Sequence, residues 1–161
     1  MVTIGIDPGQ KGGIACINGG KLVEAIPMPV NKIAMSLDAD KIAYFFKKHQ
    51  PDTIFLEKVH AIRGSSAKST FSFGSGFGQL MGITSTLGYR MIQIEPKKWQ
   101  SLMHEGVEKK YDAKHRSAVA AIRLFPGYDF TLGGKRKLYH DGVVDACLIA
   151  LAGYWSLAGK P

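Results

Sequence analysis

The chain has 161 residues, 45% hydrophobic and 21% charged, enough for one domain with a core that needs no staple. Two cysteines, Cys16 and Cys147, lie inside apolar runs and exclude a disulfide framework; they read as small buried hydrophobes in a reducing compartment. The formal net charge of +8 points to a polyanionic partner, with nucleic acid the usual one, although a basic balance also serves solubility.

The start of the chain lacks the basic-then-apolar layout of a signal peptide, and no run reads as long enough to cross a membrane. Residues 2–7 and 13–18 are predicted strands around Asp7-Pro8-Gly9, where proline fixes φ and glycine accepts a positive one. Asp7 therefore stands where a buried strand meets solvent, placed to hold a metal ion or simply to initiate the turn. Asn18-Gly19-Gly20 makes a hairpin into a third strand over 21–26, and the three form an antiparallel meander. Residues 30–37 carry no clear signal. A helix follows from Asp40, with Ile42, Ala43, Tyr44, Phe45 and Phe46 giving an apolar side and Lys47-Lys48-His49 complementing the dipole of its last turn.

Thr53-Ile54-Phe55-Leu56-Glu57 is almost wholly apolar, as suits a central strand parallel to the first, and it too ends in an acid. A Ser/Gly-rich loop over 60–72 carries Arg63 and Lys68, and a helix is predicted from Phe73 to Leu87. Gly74, Gly78 and Gly82 recur along one stripe of it, at about 1 kcal/mol each relative to Ala, so a close backbone approach is expected, from the sheet or from a second subunit. A strand over 90–94 leads to Pro96-Lys97-Lys98-Trp99, and 105–112, with Lys109 and Lys110, reads as irregular. Asp112 caps a helix running to about Phe125; Lys114, His115 and Arg116 oppose the dipole in its first turn, which suggests that they serve a ligand. A Gly-rich, basic segment over 127–139 contains Lys135, Arg136 and Lys137 and reads as a mobile loop. The last helix, from His140 to about Trp155, sets Asp141 and Asp145 one turn apart on a single face.

Asp7, Glu57, Asp141 and Asp145 are thus two strand-end acids and a pair opening an apolar helix. Each alone could be a turn or cap residue, Asp141 an N-cap for example. Gathered beside a core they require a cation, and oxygen donors suit Mg²⁺. Two such ions about 3.5–4 Å apart activate a water and stabilise the leaving oxygen in phosphodiester cleavage.

In this order, Gly-Ile-Asp-Pro-Gly, the Leu-Glu strand end before a glycine-bearing helix, Pro-x-x-Trp and Asp-Gly-Val-Val-Asp-Ala make the chain resemble RuvC-type Holliday junction resolvases, and its compact form is similar to phage-encoded members. The resemblance spans nearly the whole chain. It implies an α/β, RNase H-like fold, with a mixed five-stranded sheet (the meander plus parallel strands) flanked by helices in a single domain over 1–161. It further implies a homodimeric endonuclease that nicks four-way DNA junctions symmetrically, with two Mg²⁺ ions per site, Mn²⁺ as substitute, and no small-molecule cofactor or membrane partner. The implied setting is the cytoplasm and nucleoid of a bacterial or phage-infected cell.

The resemblance assigns Asp7, Glu57 and Asp145 as metal ligands. The fourth commonly lies three residues before the last acid, where this chain has Gly142; Asp141 is the natural substitute and His140 the fallback. Lys114 is carried over as the assisting lysine. Lys97, Lys98, Arg116 and the loop cations Arg63, Lys68, Lys109, Lys110, Lys135, Arg136 and Lys137 are expected to meet DNA. Phe71 or Phe73 is the aromatic to be inserted at the junction centre, with helix-start packing as the alternative for either. The rivals are a broader flap or RNA–DNA hybrid nuclease and a non-catalytic junction binder, though a binder would gain from losing acids that face phosphate. A sugar-kinase or actin-like ATPase would need two such domains.

Overall fold

The computed structural model describes residues 1–59, 64, 66–134 and 138–160. In chain order they form β1 (Val2–Asp7), β2 (Gly13–Asn18), β3 (Lys21–Pro27), a small hairpin β4 (Val30–Asn31) and β5 (Ser36–Leu37), α1 (Ala39–His49), β6 (Thr53–Glu57), α2 (Ala67–Thr86), β7 (Met91–Ile94), α3 (Pro96–Met103), α4 (Ala113–Leu124) and α5 (Asp141–Ala158). The main sheet has the order β3-β2-β1-β6-β7, with β1, β2 and β3 antiparallel and β6 and β7 parallel to β1. This is the expected mixed sheet, and the hairpin occupies the stretch that sequence left unread.

Alternation along the central strands divides the core into two layers. Ile4, Ile6, Ile54 and Leu56 pack with Ile42, Phe45 and Phe46 of α1 and Leu80 of α2. On the other face Phe55 joins α5, α4 and α3, including Trp99, Ala120 and Leu148. Cys16 and Cys147 fall in different layers, both buried and unbonded to each other.

α5 lies so close to the sheet that side chains would obstruct it. A Cβ on Gly5 would sit 2.2 Å from the backbone nitrogen of Ala150, and one on Gly13 2.6 Å from the carbonyl oxygen of Gly142. The Thr3 hydroxyl, buried against the helix, donates to the carbonyl of Ala150 at 3.0 Å. Among the described helices α5 alone has the length and mean hydropathy of a membrane span, which the sequence reading did not foresee. Its burial, 61% within the domain, and the paired acids at its start assign that hydropathy to the core.

Two expectations, the start of α2 and the mobility of 127–134, are corrected, and the stretch after β7, left unassigned by the sequence, gains a structure. α2 begins at Ala67 and not at Phe73, because the Ser66 side chain caps it by accepting from the Ser69 amide at 3.1 Å. Pro96 to Met103 is a helix, seeded by proline in its first turn and anchored by buried Trp99 and Met103. The stretch 127–134 is pinned: Phe130 is buried and the Tyr128 hydroxyl donates to the carbonyl of Ala25 at 3.1 Å. Residues 135–137 lie outside the described residues.

The glycine stripe resolves by the same steric test. A Cβ on Gly74, Gly78 or Gly82 would meet nothing within 4 Å, so the sheet is not what these glycines accommodate. Opposite signs follow for two substitutions measured by urea denaturation: Gly5→Ala should cost about 1–3 kcal/mol or more through overpacking, whereas Gly78→Ala should cost nothing within one chain and add up to about 1 kcal/mol of helix propensity.

Candidate active site

Parallel pairing of β1 with β6 runs Thr3 to Thr53 through Ile6 to Leu56, so Asp7 and Glu57 are the next residues on neighbouring strands. Both share the facing of Gly5 and Phe55, toward α5. α5 starts at the same end, since Gly142 lies against Gly12 and Gly13, and Gly13 pairs with Asp7. Register and helix docking therefore bring Asp7, Glu57, Asp141 and Asp145 to one end of the sheet from three separate segments.

Their electrostatics express that convergence. Burial pushes the Asp7 carboxyl up to about 8, with Asp145, Glu57 and Asp141 adding repulsion in that order. Burial also raises Asp145 to about 6; a hydrogen bond from Ser117 opposes the rise, and Glu57 and Asp141 reinforce it. Glu57 is raised by burial against the lowering effect of its Trp99 hydrogen bond.

Buried donors fix two of these acids. Trp99 Nε1 donates to Glu57 Oε1 at 2.8 Å. Ser117, buried in α4, is hydrogen-bonded to His104 Nε2 at 3.1 Å, and its hydroxyl also acts on Asp145, whose carboxyl it lowers. Asp145 Oδ1 is shielded from water and has no hydrogen-bond partner. Sequence reasoning assigned Trp99 no contact and missed Ser117 and His104 altogether; a serine inside a helix and a lone histidine give no signal until α3 and α4 are packed together.

The helix-start ambiguity has a steric answer. A Cβ on Gly142 would lie 2.4 Å from the carbonyl oxygen of Lys11, so no acid fits three residues before Asp145. His140, not Asp141, caps α5, its Nδ1 accepting from the Val143 amide at 3.2 Å. Asp141 remains accessible, with Oδ2 accepting from Lys114 Nζ at 2.8 Å.

The four acids offer only oxygen, a hard donor set suited to Mg²⁺ or Mn²⁺. The orphaned Asp145 oxygen and the mutual repulsion around Asp7 both favour a cation there. As the side chains stand, no three His, Cys, Asp or Glu groups among the described residues are arranged to hold an ion, so ligation requires them to move together. The residues fit a divalent metal by chemistry, with the Lys114–Asp141 pair to be exchanged.

The predicted DNA contacts are spread more widely. Lys97 and Lys98 are exposed in the first turn of α3, Lys68 in that of α2, and Lys109 and Lys110 on the turn before α4. Lys110 is engaged by Glu108 and lies 5.0 Å from the Tyr111 ring centre. Arg116 is half-buried, its Nε shielded and unpartnered, and its charge bears on His104. Phe71 is 78% exposed, while Phe73 is half-buried with its ring against Gly9. Arg63, Lys135, Arg136 and Lys137 lie outside the described residues.

A raised folded-state pKa on an acid means that the folded state holds the extra proton, so stability without metal is greatest below the ordinary carboxylate range and falls as pH rises toward 8. Asp7→Asn removes that loss. In chelator, its melting temperature should exceed that of the parent by several degrees at pH 8, with the gap closing toward pH 4; a divalent ion should raise the parent at pH 8 and not the variant.

No family model matches the sequence, and no curated protein is significantly similar to it. Solved structures do match in fold. Thermus thermophilus RuvC, solved in complex with a Holliday junction substrate, superposes with a TM-score of 0.66 at 16% identity, covering 99% of this chain and 97% of that one. The Fowlpox virus resolvase, complexed with Holliday junction DNA, gives 0.62 at 19% identity over 98% and 99%. The yeast mitochondrial Holliday junction resolvase Ydc2 gives 0.58 at 16% identity over 93% and 76%. With its β3-β2-β1-β6-β7 sheet and flanking helices, the chain has the RNase H-like fold in the form that RuvC and these resolvases share.

Proposed function

We propose that this protein is a structure-selective endonuclease that resolves four-way DNA junctions by paired nicks, as a homodimer using Mg²⁺ or, in its place, Mn²⁺. The observation that carries the reading is the convergence of Asp7, Glu57, Asp141 and Asp145 at one sheet end, desolvated and mutually repelling, in a chain of net charge +8. The fold shared with resolvases solved on junction DNA supports it. A pure DNA-binding protein would gain by replacing those acids, because each repels phosphate.

Asp7, Glu57, Asp141 and Asp145 would hold two ions. Bound there, the metal supplies an activated water and charge compensation at the leaving oxygen. The chain's own residues set up the site. Trp99 donates to Glu57 from inside the core, and the Ser117 hydroxyl acts on Asp145 from α4. Lys114, paired with Asp141 at the exposed rim, supplies a cation beside the acids and meets the phosphate as it arrives. Lys97 and Lys98 neutralise backbone further along, and exposed Phe71 offers a stacking face for the junction centre. Two symmetric nicks need two copies, and Gly74, Gly78 and Gly82, with nothing above them among the described residues, offer a face on which a second α2 can approach closely.

A labelled immobile four-way junction, a flap, linear duplex and RNA–DNA hybrid, each incubated with Mg²⁺, test the reading directly. Paired nicks confined to the junction are expected; equal cutting of flap and hybrid would replace it with a broader nuclease, and binding without product with a non-catalytic binder. Asp7→Asn should lose at least about 10³-fold in cleavage while keeping or tightening junction binding. Gly78→Leu should shift light scattering from dimer to monomer and abolish paired nicking together.

A further inference from the structure

A cleft of about 770 Å³ opens between the β4–β5 hairpin, the turn after Asp7 and the first turns of α2, and nothing in the metal chemistry uses it. Its size falls within the range of small-ligand sites, about 300–1,000 Å³. One wall is Gly9 and Gln10, so the cleft begins two residues from Asp7, on the same turn. The opposite wall is the tip of the hairpin. Met35 there adopts a left-handed φ of 52°, uncommon for a side-chain-bearing residue, and its carbonyl accepts from Gln10 Nε2 at 2.8 Å. That bond ties the hairpin to the turn that presents Asp7.

The lining combines two chemistries. Met35 and Phe71 are large, polarizable and mostly exposed, 68% and 78%, which is costly unless something covers them. Ser36, Ser72 and Gln79 add hydroxyl and amide groups, and Lys68 adds a cation. Gln79 Oε1 is shielded from water with no hydrogen-bond partner, an acceptor that lacks a donor. Apolar faces for a flat ring, an amide and hydroxyls for its edge, and a cation for a neighbouring phosphate make up the recognition set for an unstacked base.

We infer that this cleft receives one unstacked base from the DNA strand whose phosphate meets the acids, with Gln79 reading its edge and Met35 and Phe71 covering its faces. The inference rests on the proposed nuclease reading and adds to it a site of base selectivity. Unstacking costs least at a branch point, where bases have already lost a neighbour, so the cleft would favour branched over linear duplex as well as one base over another. The glycine stripe centres about a third of a turn around α2 from Ser72, Gly76 and Gln79, with Phe71 falling on the stripe itself, so a second copy seated there would meet the rim of the cleft at Phe71 and leave the Gln79 wall to the base.

The full-length protein is titrated, in chelator so that strands stay intact, onto immobile junctions carrying a single 2-aminopurine at each position within about three nucleotides of the mapped cut. Fluorescence should rise at one position, as a base leaves the stack. Gln79→Met, which keeps length and helix propensity, should reduce that rise and flatten the cleavage preference among bases there by about tenfold, with overall junction affinity changed less than threefold and circular dichroism unchanged. Junction binding and cutting with no rise at any position would overturn the base cleft and leave the nuclease reading standing. So would an unaltered rise and preference in Gln79→Met. Conversion of the variant to a monomer would overturn it by assigning the cleft to a second copy. Failure of the parent protein to bind or cut junctions would remove the nuclease reading, and the base cleft with it.

Discussion

The contact on which the rest depends is backbone against backbone: α5 lying directly on β1 and β2. Gly5, Gly13 and Gly142 permit it, since a methyl group at any of the three would intrude to between 2.2 and 2.6 Å on main-chain atoms. Such proximity makes the helix position almost a function of the strand position. It sets the start of α5, and therefore Asp141 and Asp145, beside the ends of β1 and β6. A looser helix, held by long side chains over the sheet, would leave the acids to find one another through rotamers alone. Here the distance between sheet and helix is fixed before any side chain is chosen, which is the preorganisation that a multi-carboxylate site needs.

That arrangement is destabilising by itself. Placing acids where burial and mutual repulsion lift Asp7 to about 8 works against folding at neutral pH, and the surrounding structure has to hold the acids there. Two devices do so. The mixed sheet buries one apolar layer under α5, α4 and α3 and a second under α1 and α2, which fixes β1 and β6. Trp99 then occupies one Glu57 oxygen from inside the core, and the His104–Ser117 pair backs Asp145 from α3 and α4. Asp145 Oδ1, left without a partner, is the group for which the fold provides nothing and a cation would. Conflict between stability and local structure concentrated at one place is what a functional site looks like.

Around this rigid centre the chain places its less constrained parts. α2 has small residues on two faces: Gly74, Gly78 and Gly82 open to solvent, and Gly76 against Leu37 of β5. One face is free for a second chain and the other carries the hairpin that walls the cleft. Lys68, Lys97, Lys98 and Lys114 sit in the first turns of α2, α3 and α4, where they oppose the helix dipoles. Lys114 recovers some of that cost from Asp141, and a phosphate backbone would compensate the others.

How much of this the amino-acid order determined can be read residue by residue. The strand-end acids Asp7 and Glu57, the meander with its Asn-Gly turn, and the paired acids opening α5 were all legible, because each depends on local periodicity and turn chemistry. So was the mixed sheet, since an apolar run such as Ile54 to Leu56 suits only a strand covered on both faces. Where α2 begins was not legible, because serine and glycine are poor helix formers and it is the cap at Ser66 and burial of Leu80 that decide. Nor were the donors Ser117 and His104, nor why Gly142 stands where an acid was expected, because those follow from atoms far apart in the chain that meet only when α5 docks. Sequence alone determined which residues are acids, and at which element ends they stand, through local rules that act over a few positions. Tertiary structure alone decided which of them share a site and what holds them there, because that is settled by how closely two backbones pack.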